Sequence, residues 1–266
     1  MGNIRLRTFT PSLSIAGYVS HIVVLENDSM FFEAVLPLIA NGYPSITFQL
    51  TDPARVLQPG KRADNLILYG QNIRPIQLHT VGQIIVIAFF LHPYMLQPLF
   101  GYKAAEFTDQ MVDLSLTEPA RSLSLKEQLL NAVTLTDRLQ LLTTYIRRLA
   151  DQAKSDADER ITFATTRIRR AKGAGLLMDL QQELYVTERT LQRLFLQHIG
   201  LTPKQYSRTC QFQAALQQLT RNNFTDMAGV AFDNGYADQS HLIRGFKDFT
   251  NYTPLEYLEV GKKYPG

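Results

Sequence analysis

The sequence predicts an α+β fold in two parts. The first is a β-rich, barrel-like N-terminal domain with flanking helices, and the second is an all-α C-terminal domain with two helix-turn-helix units joined by a long helix. Runs rich in β-branched and aromatic residues occur between turn residues in the first half. Apolar residues recur at helical spacing in the second half, where one pattern appears twice. With 266 residues, 45% of them hydrophobic, the chain is long enough for two cores.

The first half contains three predicted strands, which are Ser45–Leu50, Asn65–Tyr69 and Gln83–Phe90. Turns are predicted at Asn41-Gly42, at Thr51-Asp52-Pro53 and at Gln58-Pro59-Gly60. A helix is predicted to start within His92–Gly101. Short, closely spaced strands of this kind indicate a small barrel or a rolled sheet.

An apolar stripe predicts a helix from about Thr136 to Ala153, between the two halves. The stripe consists of Leu135, Leu139, Leu142, Ile146 and Leu149. It either packs on the N-terminal domain or pairs with its copy in a homodimer. The polar run Asp151–Arg160 is predicted to be the linker, which gives domains of residues 1–154 and 155–266.

The most informative stretch lies near the C-terminus. A short apolar helix leads through a turn at Asn234-Gly235 into a second helix with a polar free face, which is the layout of a helix-turn-helix over about residues 226–249. A similar unit covers about residues 176–198. Both units place an apolar residue, an arginine and a phenylalanine in one frame, which are Leu191, Arg193 and Phe195 in the first unit and Leu242, Arg244 and Phe246 in the second. The sequence therefore predicts two DNA-recognition units in one chain.

A long helix is predicted between the two units, from Pro203 to Leu219. Such a helix spans roughly 25 Å at about 1.5 Å per residue, which suits two recognition helices in adjacent major grooves with a repeat of ~34 Å. Helix starts are predicted at side chains that can accept hydrogen bonds from free backbone N–H groups, which are Thr187, Thr225 and Asp238.

These residues resemble the DNA-binding domain of the AraC/XylS family of bacterial transcription regulators. The resemblance runs from about Ile168 to Tyr257 and is closest from Gly235 to Pro254. Gln181 stands where the family usually has a small alanine, and Tyr185 fills a turn position often held by glycine. The N-terminal half resembles a domain found on one branch of AraC-type regulators.

The exposed face of each predicted recognition helix supplies the candidate base contacts, which match the base-contacting positions of the family. They are Arg189, Gln192, Arg193, Gln239, Ser240, His241 and Arg244. Arginine suits guanine and glutamine suits adenine in bidentate contacts, each worth about 1–3 kcal/mol of discrimination. The alternative is a solvated helix face, and for His241 it is a capping or core role.

Candidate phosphate contacts are Thr187, Lys204, Arg208 and Lys247. The alternative is that the charged members serve only solubility. The net charge of +3 and the pI of about 8.9 are mildly basic. The densest basic cluster is Arg167–Lys172, which either touches the DNA backbone or forms a solvated helix face.

Enzyme and metal-binding functions are not indicated. His21, His79 and His92 are too far apart in the sequence to form a local ligand pair, and no phosphate loop or nucleophile motif occurs. We therefore predict no metal, no cofactor and no catalytic residue. Aromatic residues of the strands either line an effector pocket or form the core, so the effector-binding residues stay unknown. Cys210 is predicted to be a packing residue in a reducing compartment.

The sequence thus predicts a cytoplasmic, sequence-specific DNA-binding transcription regulator, modulated by a small-molecule effector and reading two adjacent major grooves per chain. Its expected partners are a double-stranded DNA operator, RNA polymerase, an unknown effector and a second copy of the chain, but no membrane. In the alternative, the N-terminal domain is only an interaction or dimerisation module. A third hypothesis, an enzyme with an appended DNA-binding domain, has no catalytic constellation to support it.

Overall fold

The architecture agrees with the α+β prediction, since strands dominate the first part of the chain and helices the second. The computed structural model describes residues 4–30, 33–56, 64–153, 157–175 and 177–263. Part of the predicted linker, residues 154–156, lies outside these ranges, as does residue 176 at the predicted start of the first helix-turn-helix unit. The division at residues 154 and 155 therefore stays a prediction.

One antiparallel sheet contains the seven strands of the described residues. They are β1 (Arg5–Phe9), β2 (Val19–Asn27), β3 (Glu33–Leu38), β4 (Ser45–Val56), β5 (Leu66–Tyr69), β6 (Ile76–Leu91) and β7 (Met111–Asp113). Their order is β1-β2-β6-β4-β5-β7, and β3 pairs with the first part of β6. The long strand β6 therefore connects most of the sheet.

Alternation along the two longest strands produces the inner face of the sheet. Ile46 and Phe48 of β4 are fully buried, as are Ile87 and Phe89 of β6. Ile46 lies opposite Phe89 and Phe48 lies opposite Ile87. Because side chains two residues apart share one face of a strand, this register puts all four side chains into the core.

The predicted strands are present, but the sequence does not predict β1, β2, β3 or β7. The turn predicted at Thr51-Asp52-Pro53 is wrong because β4 continues through it to Val56. The pairing with β6 shifts register on both sides of Asp52, and such an irregularity can place a proline, which has no N–H to donate, inside a strand. The turn predicted at Gln58-Pro59-Gly60 lies outside the described residues.

Among the described residues, four helices flank the sheet, which are α1 (Leu96–Phe100), α2 (Glu118–Ser122), α3 (Leu125–Asn131) and α4 (Leu135–Asp151). The helix α1 confirms the predicted helix start in His92–Gly101. A capping box of Thr134 and Asp137 begins α4. The central stripe residues Leu142, Ile146 and Leu149 are buried in the N-terminal core. Their face is covered within the chain and is not free to pair with a copy.

Seven helices make up the described C-terminal part, which are α5 (Glu159–Arg170), α6 (Leu177–Glu183), α7 (Glu188–His198), α8 (Pro203–Thr220), α9 (Met227–Asp233), α10 (Gln239–Thr250) and α11 (Pro254–Lys263). Their apolar side chains form two clusters, one around α7 and one around α10. The helix α8 contributes Tyr206 and Cys210 to the first cluster and Phe212 and Leu216 to the second. It is the long joining helix predicted between the two units.

The N-terminal domain contacts both parts of this helical region. The side chain of Gln213 on α8 donates a hydrogen bond to the carbonyl of Ala40 at 2.5 Å. The hydroxyl of Thr108 donates to the carbonyl of Gly200, just after α7, at 2.7 Å. These long-range contacts fix how the sheet sits against the helices, and local sequence patterns do not predict them.

Candidate DNA-binding surface

The first helix-turn-helix unit consists of α6, a turn and α7. After α6 the chain reverses through Tyr185, which has a φ of 52° in the left-handed region, and the N–H of Val186 donates to the carbonyl of Gln181 at 2.9 Å. Tyr185 is 95% exposed, so no packing compensates for its unfavourable backbone conformation. Tyr185, which stands where the AraC/XylS family often has glycine, therefore leaves the turn strained. Gln181, which stands where that family usually has alanine, is only half-buried.

The second unit has the same turn with a different residue at its tight point. After α9, Gly235 adopts a φ of 71°, and the N–H of Tyr236 donates to the carbonyl of Ala231 at 2.9 Å. Glycine takes up this conformation without steric cost. Tyr236 is buried, and its ring lies against Gly245 of α10, where an added Cβ would be 3.1 Å from the ring edge.

Capping side chains mark the starts of α7, α9 and α10. Thr187 accepts a hydrogen bond from the N–H of Thr190 at 3.3 Å, and Asp238 accepts from that of His241 at 2.7 Å. Both caps confirm the predicted starts. The start predicted at Thr225 is wrong by one residue because the carboxylate of Asp226 accepts from the N–H of Gly229.

The two recognition helices are joined by their packing on α8. The ring of Phe246 from α10 lies 5.0 Å from that of Phe212 on α8. The ring of Phe195 from α7 lies 5.9 Å from that of Tyr206, also on α8. A capping box of Thr202 and Gln205 begins α8 and satisfies its free N–H groups. One helix therefore sets the spacing of both recognition helices.

The candidate base contacts on α7 share one exposed face. Arg189, Gln192 and Arg193 are all exposed, while Leu191, Leu194 and Phe195 are buried. The amide of Gln192 donates to the carboxylate of Glu188 at 3.0 Å, one helical turn earlier. The amphipathic pattern of α7 thus leaves its polar face free of the protein core.

The candidates on α10 form a similar face. Gln239, Ser240 and Arg244 are exposed, and His241 is half-buried. The ring of His241 meets Tyr236 edge-on at 5.3 Å, and its Nδ1 accepts a hydrogen bond from the N–H of Ala237 at 3.3 Å. These contacts support the capping and packing role that was the alternative for this histidine.

The four candidate phosphate contacts differ in their surroundings. Lys204 and Lys247 are exposed, and Thr187 is an exposed helix cap. Arg208 donates to Asp248 at 2.8 Å, and its guanidinium lies 6.0 Å from the centre of the Phe249 ring. Arg208 therefore connects α8 to α10 in the free protein.

The basic cluster Arg167–Lys172 has structural partners that its sequence does not reveal. Arg167 donates two hydrogen bonds to Glu183, at 2.6 and 3.2 Å, and so ties α5 to α6. The guanidinium of Arg169 lies 4.1 Å from the centre of the Tyr43 ring in the N-terminal domain. Part of this cluster therefore makes intramolecular contacts in the free protein, while its contact with DNA stays a prediction.

A cleft of about 760 Å³ lies between the N-terminal domain and the helices beside Arg169. Its lining includes His21, Tyr43, Arg169, Lys172, Arg221 and Asp233. The ring of His21 stacks on Phe90 at 4.6 Å and meets Tyr43 edge-on at 5.1 Å. Burial, together with the charges of Arg169 and His92, lowers the pKa of His21 to about 4, so that His21 is neutral at pH 7.

His92 and Cys210, near this cleft, have packing roles. The Nε2 of His92 donates to the carbonyl of Ala16 at 3.1 Å, and its ring stacks on Tyr94. Burial raises the pKa of the Cys210 thiol to about 11, which keeps it protonated at neutral pH. The side chain of His79 lies outside the described part of the chain.

Within the described ranges, histidine, cysteine and acidic side chains form no group of three that could hold a metal ion. The described helices include none that is both long and apolar enough to cross a membrane.

The chain is similar to two domain families and to a bacterial relative. Residues 180–259 match a family described as a helix-turn-helix domain, and residues 7–113 match a domain of unknown function, DUF6597. The relative is YidL of Escherichia coli (strain K12), described as an uncharacterized HTH-type transcriptional regulator. It is 22% identical over 240 residues, which are 86% of this chain and 79% of YidL.

Two solved structures of ToxT from Vibrio cholerae share the fold. ToxT from strain O395 has a TM-score of 0.51 at 12% identity, with 97% of this chain and 98% of that chain covered. Wild-type ToxT from strain SCE256, bound to an unsaturated fatty acid, has a TM-score of 0.50 at 12% identity, with 98% and 97% covered. At this identity the likeness concerns the fold alone.

Proposed function

We propose that the chain is a transcription regulator with an AraC-type helix-turn-helix domain and that it binds a specific DNA operator by placing α7 and α10 in two adjacent major grooves. Effector binding in the N-terminal part then modulates that DNA binding. The bacterial relative YidL is described as a transcriptional regulator, which agrees with this proposal.

One observation carries this proposal: two recognition helices with exposed polar faces pack on the same helix. The aromatic contacts of Phe195 and Phe246 with α8 fix the separation of α7 and α10. The 18 residues of α8 span roughly 27 Å at about 1.5 Å per residue. This length is compatible with the ~34 Å repeat of successive major grooves on one face of B-DNA.

The exposed arginines give each helix a base-reading group. Arg193 on α7 and Arg244 on α10 occupy the same frame position in the two units and are both exposed. A guanidinium can donate two hydrogen bonds to a guanine edge in the major groove. We therefore propose that each arginine reads one base pair in its own groove, and that Lys204 and Lys247 neutralise phosphates.

Two substitutions test the proposal. Arg193→Ala and Arg244→Ala should each weaken binding to the operator by about 1–3 kcal/mol and relax the preference at one base pair. Competition binding against single-base operator variants measures both quantities, and circular dichroism checks the fold. The matched control is Arg147→Ala, which removes an exposed arginine of α4. An equal loss on all sequences would make the two arginines phosphate contacts, and no loss would exclude them from the interface.

The cleft between the two halves supports a small-molecule effector. Its volume of about 760 Å³ falls in the range of ~300–1,000 Å³ that ligand pockets occupy. Arg169, Lys172 and Arg221 supply three cations against the carboxylate of Asp233, an excess that favours an anionic ligand. The binding of an unsaturated fatty acid by ToxT, which shares the fold, agrees with an effector that carries a carboxylate.

Operator binding in the presence of oleate or benzoate tests the effector proposal. Either carboxylate should change the operator affinity of the wild-type chain, and the change should be absent in Arg169→Gln. If no carboxylate changes the affinity or the melting temperature, the alternative is favoured, in which the N-terminal domain is an interaction or dimerisation module. A homodimer and a contact with RNA polymerase remain proposals, which sedimentation and transcription assays respectively test.

A further inference from the structure

The N-terminal domain borders the recognition helix α7 directly. A groove of about 750 Å³ runs between them. One wall is formed by Gln97, Lys103 and Ala105 of the N-terminal domain. The other wall belongs to α7 and includes the candidate base contacts Arg189, Gln192 and Arg193. The surface next to α7 is therefore formed by both parts of the chain.

Backbone packing holds this wall in place. The 3₁₀ turn Ala104–Phe107 comes immediately after Lys103 in the sequence. A Cβ on Gly200, the second residue after α7, would lie 2.4 Å from the carbonyl oxygen of Ala104, so the two backbones touch. Thr108 adds its hydrogen bond to the carbonyl of Gly200 at 2.7 Å. The backbone next to Lys103 is thus packed against the segment that follows α7.

The charge of the groove fits a polyanion. Lys103, Arg189 and Arg193 line it with three cations. Lys103 is 80% exposed, and its ion pair with Glu106, itself 66% exposed, is long at 3.4 Å. An exposed pair of this kind is worth little, so the ammonium group can exchange Glu106 for a stronger anion.

We infer that Lys103 of the N-terminal domain contacts the phosphate backbone of the DNA that α7 reads. This inference rests on the proposed function, because it requires α7 to lie in a major groove. A recognition helix in the major groove has sugar-phosphate strands on both sides. One of these sugar-phosphate strands passes through the protein groove between α7 and Lys103. The DNA-binding surface therefore includes both domains.

The salt dependence of operator binding tests the inference with the full chain. Each phosphate that a cation neutralises adds about 0.9 to the slope of log K against log salt concentration. Lys103→Ala should therefore lower the magnitude of the slope by about 0.9 and leave the preferred sequence unchanged. Lys103→Glu should weaken binding further. Arg121→Ala, which removes an exposed cation of α2 that does not line the groove, is the matched control and should leave the slope unchanged.

The outcomes separate this inference from the proposed function. If the wild-type chain selects an operator but Lys103→Ala and Arg121→Ala have the same slope as wild type, the inference is overturned and the proposed function stands. A second pair of results would also overturn the inference: Thr108→Val strengthens operator binding, and Lys103→Ala leaves the slope unchanged. The N-terminal wall of the groove would then obstruct DNA instead of contacting it. If the wild-type chain selects no operator at all, the proposed function itself fails.

Discussion

The two helix-turn-helix units fill the space between the turn and the recognition helix with different residues. In the first unit the turn carries Val186, and the recognition helix carries Leu194 between its arginine and its phenylalanine. In the second unit the corresponding positions hold Tyr236 and Gly245, and a Cβ added to Gly245 would lie 3.1 Å from the tyrosine ring. The large side chain is supplied by the helix in one unit and by the turn in the other.

The comparison indicates that the space between turn and helix can be filled from either element, by Leu194 of the helix in the first unit and by Tyr236 of the turn in the second. Close-packed interiors tolerate exchanges that keep volume and resist those that add it. The left-handed turn residue differs as well, since Gly235 meets the backbone requirement without cost and Tyr185 does not. We therefore expect the turn of the second unit to be less strained than that of the first. We also expect the recognition helix of the first unit to accept a large side chain at the position where the second has Gly245.

Gly245→Leu, which copies the first unit into the second, should give the largest effect. The added Cβ would lie 3.1 Å from the ring of Tyr236. We expect the free energy of unfolding to fall by about 1–3 kcal/mol because overpacking outweighs the gain in helix propensity. Urea unfolding measures the loss. Adding Tyr236→Val should restore most of the stability, and a double variant as unstable as Gly245→Leu alone would refute the volume exchange.

Gly235→Ala should destabilise the protein by about 1–2 kcal/mol, the cost of a left-handed conformation for a residue with a Cβ. The methyl group itself has space, because its nearest neighbours would lie at 3.6 Å. The effect would therefore come from the backbone alone, and thermal unfolding can detect it. An unchanged melting temperature would mean that the turn relaxes to another conformation.

Asp226→Ala should cost about 1 kcal/mol of stability through loss of the hydrogen bond from Gly229. The neighbouring Thr225→Ala serves as the control and should change stability by less than about 0.5 kcal/mol. If Thr225→Ala were the more damaging of the two, α9 would begin where the sequence predicts and not where the structure places its cap.

Tyr185→Gly should have the smallest effect and the opposite sign. It removes the strain of the first turn, partly offset by the greater freedom of glycine in the unfolded chain, so we expect a gain of about 0.5 kcal/mol. Tyr185 is almost fully exposed, and no core contact is lost. Destabilisation on this substitution would show that the tyrosine ring has a stabilising contact with its surroundings.

The C-terminal part could be predicted from the sequence because its signals are local. Helical periodicity, the Asn234-Gly235 turn and the caps Thr187 and Asp238 each depend on a few neighbouring residues. The error at Thr225 is of the same local kind, since two adjacent residues can both accept the hydrogen bond and only the structure shows that Asp226 does.

The rest depends on contacts between distant residues. The strand β4 continues through Pro53 because its register with β6 shifts there, and local turn signals do not report such pairing. The contact of Arg169 with Tyr43 and that of Thr108 with Gly200 join residues far apart in the sequence. For the same reason the sequence predicts neither the cleft nor the wall beside α7.

The central claim is that one chain reads two adjacent major grooves. Selection of bound sequences from a random duplex library by the full chain, at a stated salt concentration, tests it most directly. We predict one enriched motif with two elements about ten base pairs apart, in which Arg193→Ala relaxes one base pair of one element and Arg244→Ala relaxes one base pair of the other. A motif with a single element that both variants weaken equally, or no motif at all, would contradict it.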